Sequence, residues 1–176
     1  MHSLAFDIAH ALAGSMVVLS FLLLYQDRVY ALLNVFALHS LALALAVGWQ
    51  AYLQDAHHLY VTAVVALLFK AIAIPTALHR IVRRLDIHRT LEVVGGVGRD
   101  MLAGAALVAL AIMVMLPVTE GSNALARQDL AFALAVVLLG LLLMVNRHNA
   151  ISLVIGFMSL ENGLVLAAAG ALGMPL

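Results

Sequence analysis

Long apolar runs, broken by brief polar punctuation, make up most of the chain. Windows almost free of charge predict six helices, near residues 4–25, 29–51, 57–79, 100–118, 128–146 and 150–172. At about 1.5 Å per residue, runs of about 19–23 residues span a hydrocarbon layer of about 30 Å. The runs are continuous and do not alternate as barrel strands would, and inside lipid a backbone finds its hydrogen bonds only in a helix or a closed barrel. The pattern therefore predicts an all-α integral membrane protein. It forms a single helical membrane domain over residues 1–176, with about six transmembrane helices, short loops and one longer cytoplasmic connector at 79–100. Gln26-Asp27-Arg28 and Arg147-His148-Asn149 leave almost no loop, so helices one and two, and five and six, are expected to be antiparallel neighbours.

Composition sharpens this reading. Of 176 residues, 65% are hydrophobic and 10% charged, whereas soluble domains are about half apolar and about a quarter charged. Nine basic and nine acidic residues cancel, which argues against nucleic acid as a partner. The absence of cysteine excludes disulfides, thiolate zinc sites and iron–sulfur clusters ligated by this chain. Residues 1–10 carry Asp7, His2 and His10 and lack the basic start of a signal peptide, so the first helix is expected to be retained.

Charge placement gives a topology. The connector holds Arg80, Arg83, Arg84, Arg89 and Arg99 beside Asp86, Glu92 and Asp100, and Arg28 and Arg147 lie in the other loops of the same side. The opposite loops hold Arg127. Seven arginines against one place both termini outside the cytoplasm by the positive-inside rule. Gly95-Gly96-Val97-Gly98 does not follow a strand and is no dinucleotide fingerprint. An offset of 119 residues lays Arg28, Val35 and Ser40 on Arg147, Val154 and Ser159, a weak internal repeat that sets Glu161 opposite Ala42.

The chemistry lies in the few polar residues inside the apolar runs. Glu161 stands roughly 12 residues, about 18 Å, into the last helix, where a charge costs roughly 2.5–3.5 kcal/mol on insertion scales. Such a group faces protein or water by default. Lys70 sits mid-helix, too deep to snorkel easily, with Pro75 five residues on, where it can kink the helix and free a carbonyl. His39 shares its helix with Asn34 and Ser40; it is read as a third protonatable site, against hydrogen-bonded packing. Asn162 offers amide hydrogen bonds next to Glu161 and is expected to orient the carboxyl. Glu161, Lys70, His39 and Asn162 are thus the proposed proton pathway, with no catalytic centre and no metal site on the chain. Haem is disfavoured, because the other histidines fall near helix ends. Gly156, Gly163 and Gly170 recur at seven-residue spacing, a stripe that permits close helix packing.

The stretch Asn149-Ala-Ile-Ser-Leu-Val-Ile-Gly-Phe-Met-Ser-Leu-Glu161-Asn162-Gly163 resembles a helix of the E-type membrane subunit of hydrogenase-4 and related energy-converting [NiFe] hydrogenases. Phe69-Lys70, Pro75 and the arginine-rich helix end look like the same family, which is in turn similar to the K-type subunit of respiratory complex I. The resemblance implies a subunit of a multisubunit oxidoreductase in a prokaryotic inner membrane. Its nickel–iron centre and iron–sulfur clusters would lie in peripheral redox partners, and antiporter-like membrane subunits would flank this chain, which would carry no cofactor. Its role would be to contribute buried ionisable residues to a proton or sodium pathway. Family members run one more helix past Leu176, so the resemblance implies a shorter relative or a truncated chain, with the last pathway element missing or supplied by a partner. The rival readings are a purely structural subunit that seats its partners and a self-contained small ion transporter.

Overall fold

The computed structural model describes residues 2–85, 96–118 and 124–171, with side chains placed for 4–85, 96–118 and 128–171. Among them run six helices: α1 (His2–Tyr25), α2 (Val29–Gln54), α3 (His57–Arg84), α4 (Val97–Val118), α5 (Ala124–Asn146) and α6 (Ala150–Ala171). All six are long and apolar enough to cross a membrane, and no strand occurs among the described residues. Helix α3 runs past the expected end at residue 79 to Arg84. Arginine is a good helix former, and Arg83 and Arg84 in the last turn complement the negative end of the helix dipole. Residues 86–95 of the connector, with Asp86, Arg89 and Glu92, lie outside the described residues, as does the side chain of Arg127.

The helices α1, α2, α6 and α5 pack in that cyclic order as a four-helix core, with α3 against α2 and α4 against α5 and α1. Short turns enforce this order. Asn149 caps α6 by accepting from the Ser152 N–H through its side chain at 2.8 Å. Asp55 takes a left-handed conformation (φ 50°) to end α2. Core packing is by Met16, Leu24, Phe36, Leu43, Leu139, Leu143, Ile155 and Leu166, all essentially inaccessible.

The offset of 119 residues reappears as shared burial. Buried Ile151, Ser152, Ile155, Ser159, Asn162, Gly163, Leu166, Ala169 and Gly170 of α6 fall on buried Leu32, Leu33, Phe36, Ser40, Leu43, Ala44, Val47, Gln50 and Ala51 of α2. The two hairpins thus turn matching faces inward but carry different polar residues there.

Two loop charges turn out to be buried. Arg147 is 1% exposed, and its Nη2 donates to the carbonyls of Leu24 and Gln26 at 2.8 and 2.7 Å, tying the α5–α6 turn to the α1–α2 turn. Burial pulls its guanidinium below the usual arginine range, and the carboxylates of Asp100 and Asp27 oppose that. Asp100, in the first turn of α4, is fully buried and accepts from Asn146 Nδ2 at 2.8 Å.

Helices α5 and α6 approach closely because glycines face each other. A Cβ on Gly163 would lie 2.9 Å from the Val137 nitrogen and 3.0 Å from the Ala133 oxygen, backbone atoms that cannot step aside alone. One on Gly170 would meet the Asp129 Cβ at 3.4 Å, an ordinary contact. Gly163→Ala should therefore cost about 1–3 kcal/mol by overpacking, seen as a lower Tm of the purified chain in detergent, while Gly170→Ala should leave Tm nearly unchanged.

Candidate functional site

The site begins with a departure from α-helical geometry. Residues Ala66–Ala73 within α3 form a π-helical segment, and the N–H of Ile74 reaches back five residues to the carbonyl of Phe69. The next acceptor in that series is the carbonyl of Lys70, and Pro75 has no N–H to offer it. The sequence predicts that Pro75 can kink this helix; around it the helix widens by π turns before the proline and resumes α geometry at Ile74. Such insertions re-aim side chains and often accompany functional sites.

From the π segment Lys70 reaches across to α6. Its Nζ lies 3.1 Å from Glu161 Oε1 and donates to Asn162 Oδ1 at 3.0 Å. The lysine side chain is 12% exposed and the glutamate side chain 42%, so the pair is covered at the ammonium and open at the carboxylate. Asn162, wholly buried, donates through Nδ2 to His39 Nδ1 at 3.0 Å and to Ser40 Oγ at 3.3 Å. The far nitrogen of the His39 ring, Nε2, is 3.0 Å from Ser20 Oγ, and that hydroxyl donates to the Met16 carbonyl at 2.8 Å. His39 and Ser20 are buried.

All four sequence-predicted residues, Glu161, Lys70, His39 and Asn162, therefore meet in one hydrogen-bonded line through α6, α3, α2 and α1. Their connectivity corrects one expectation. Asn162 was expected to orient the Glu161 carboxyl, but its oxygen holds the Lys70 ammonium. Adjacent residues on a helix point about 100° apart, so the lysine bridges the two where they cannot touch directly. Sequence reasoning missed Ser20, a common residue type in apolar helices. Its signal lay in the short α1–α2 turn, which folds Ser20 back to within a few residues of the level of His39.

The line runs across the helices and is closed along them. On α2 the His39 side is flanked by Leu32, Leu33 and Phe36 in one direction and by Leu43 and Val47 in the other, all with no exposed surface. Two further polar clusters sit nearer the helix ends. Gln54 donates to the Ala169 carbonyl at 3.0 Å and to Gln50 at 2.9 Å, and Gln50 donates to buried Asp129. That cluster begins about 16 Å from His39 along α2. At the other end Arg147 binds the Leu24 carbonyl, one helical turn from Ser20, with Leu23, Leu24 and Leu143 packed around that turn. No group of three or more metal-ligating side chains occurs among the described residues, and His57 and His58 are exposed.

Chemically, the line contains an ion pair, an amide relay, an imidazole with both nitrogens engaged and a hydroxyl. Replacing Asn162 by Leu strips Lys70 of its second partner and leaves His39 Nδ1 and Ser40 Oγ unsatisfied in the core. With about 1–3 kcal/mol for each orphaned buried group, the variant should lose roughly 3 kcal/mol or more in thermal or denaturant unfolding of the purified chain. Comparison with family models, curated proteins and solved structures found no match to this chain.

Proposed function

We propose that the chain is a membrane subunit of a redox-driven, proton- or sodium-translocating assembly of the hydrogenase-4 or complex I kind, and that Glu161, Lys70, His39 and Asn162 form its part of the cation path. The observation that carries this reading is the crosswise hydrogen-bonded line. It enters at the half-open carboxylate of Glu161 and continues through Lys70, Asn162 and His39 to Ser20. Apolar plugs above and below it favour exchange of charge sideways with a partner at the Glu161 end over a complete route through this chain alone.

The membrane setting gives the line its energetic sense. An acid opening at mid-helix would face hydrocarbon at a cost of several kcal/mol unless protein or water covers it. An antiporter-like partner subunit on that face would supply the cover and extend the path. Electrons would pass through a nickel–iron centre and iron–sulfur clusters in peripheral subunits, and this chain would respond electrostatically. In a medium of low effective dielectric, loss or gain of one charge shifts the proton affinity of the next group. By the arginine distribution, both termini would lie outside the cytoplasm of a prokaryotic inner membrane.

One observation favours a structural subunit as the second reading. Lys70 ties α3, which packs on α2, to α6, and a fixed ion pair could serve that purpose alone. The experiment is pumping by the assembled complex. Glu161→Gln should remove most cation translocation while the complex still assembles. Under the structural reading the double variant Glu161→Gln with Lys70→Met keeps both assembly and pumping. The purified chain reconstituted by itself should give no uncoupler-sensitive flux.

A further inference from the structure

The hydrogen-bond polarity of the line has one solution. A charged Lys70 has donors only, so the atom of Asn162 facing it at 3.0 Å is the amide oxygen. The amide nitrogen then faces His39 Nδ1, which must accept. The ring proton therefore sits on Nε2 and is given to Ser20 Oγ, whose own hydrogen goes to the Met16 carbonyl. Every donor points away from Lys70, and the Met16 carbonyl, which can only accept, fixes the far end.

A doubly protonated His39 breaks this order. Both of its nitrogens would be donors, and Nδ1–H would oppose the Asn162 NH2. Rotating the amide by half a turn relieves that clash by presenting Oδ1 to His39, but it turns the NH2 toward Lys70, where only a neutral amine could accept it. Ser40 Oγ, now a partner of Asn162 Nδ2 at 3.3 Å, can donate to Oδ1 after the turn. The other ionisable group joined to the network is Glu161 of α6, paired with Lys70; α1 contributes the uncharged Ser20.

We propose that the Asn162 amide is a two-position switch that lets a positive charge reside on Lys70 or on His39 but not on both. The exchange balances. One proton leaves Lys70 Nζ, one is bound at His39 Nδ1, the amide turns over, and the net charge of the line is unchanged. Asn162 is a positioning residue, acting by which of its two ends each neighbour meets. This inference rests on the proposed role of the line in charge movement, but its test reads protonation directly and does not require pumping.

The test is nitrogen-15 magnetic resonance of histidine-labelled full chain in lipid nanodiscs, with the His39 signal assigned by its loss in His39→Gln. In the unaltered chain at neutral pH, His39 is expected as the neutral ring with its proton on Nε2. Asn162→Asp, which can only accept on both sides, should move a proton onto Nδ1. Lys70→Met, which frees the amide to turn, should raise the doubly protonated fraction of His39 several-fold at the same pH. An Nδ1–H ring in the unaltered chain would overturn the switch, and so would a His39 whose titration is the same with and without Lys70. If Asn162→Asp does not fold, the unaltered chain and Lys70→Met decide the matter. Lost pumping together with an unswitched His39 would sink this inference alone.

Discussion

A buried amide that must be satisfied at both ends governs this molecule. Asn162 has one acceptor atom and one donor atom facing opposite ways in a core with no exposed surface. Each unsatisfied group there would cost about 1–3 kcal/mol. Meeting that demand requires a donor on one side, Lys70, and acceptors on the other, His39 and Ser40. Those requirements fix how α2, α3 and α6 sit around it. The ion pair with Glu161 is then the outer end of a line whose interior is set by hydrogen bonding.

The apolar architecture serves this constraint. Glycine-to-backbone approaches hold α6 against α5, the kind of contact helices would need in lipid, which is as apolar as leucine and would give them no hydrophobic reason to associate. The π segment compensates for the missing proline N–H and carries Lys70 into reach of α6. Buried Arg147 pins two turns together through main-chain carbonyls, so the two hairpins keep their register and Asn162 stays level with His39.

Much of this was legible in the sequence because its signals are one-dimensional. Helices long and apolar enough to cross a membrane follow from uninterrupted apolar runs, and Glu161, Lys70, His39 and Asn162 stand out because each is polar where its neighbours are not. Arg147 and Asp100 stand in the sequence as loop charges, and their burial is not legible there, since their cover comes from elements distant in sequence. Ser20 carries no charge and resembles the serines that helices tolerate by bonding their own carbonyls, as it also does here. The π segment was invisible except through Pro75, because i to i−5 bonding leaves no mark on composition. The Asn162–Lys70 bond was missed because adjacency to Glu161 in sequence suggested adjacency in space.

If the line carries charge, the open side of Glu161 must face polar matter. The decisive measurement is a structure of the chain in the proposed assembly, in lipid and at a resolution that shows ordered water. Water or a polar side chain of a neighbouring subunit is expected against the exposed carboxylate of Glu161, continuing the line outward. Acyl chains packed directly on Glu161, with no polar group leading on, would contradict it.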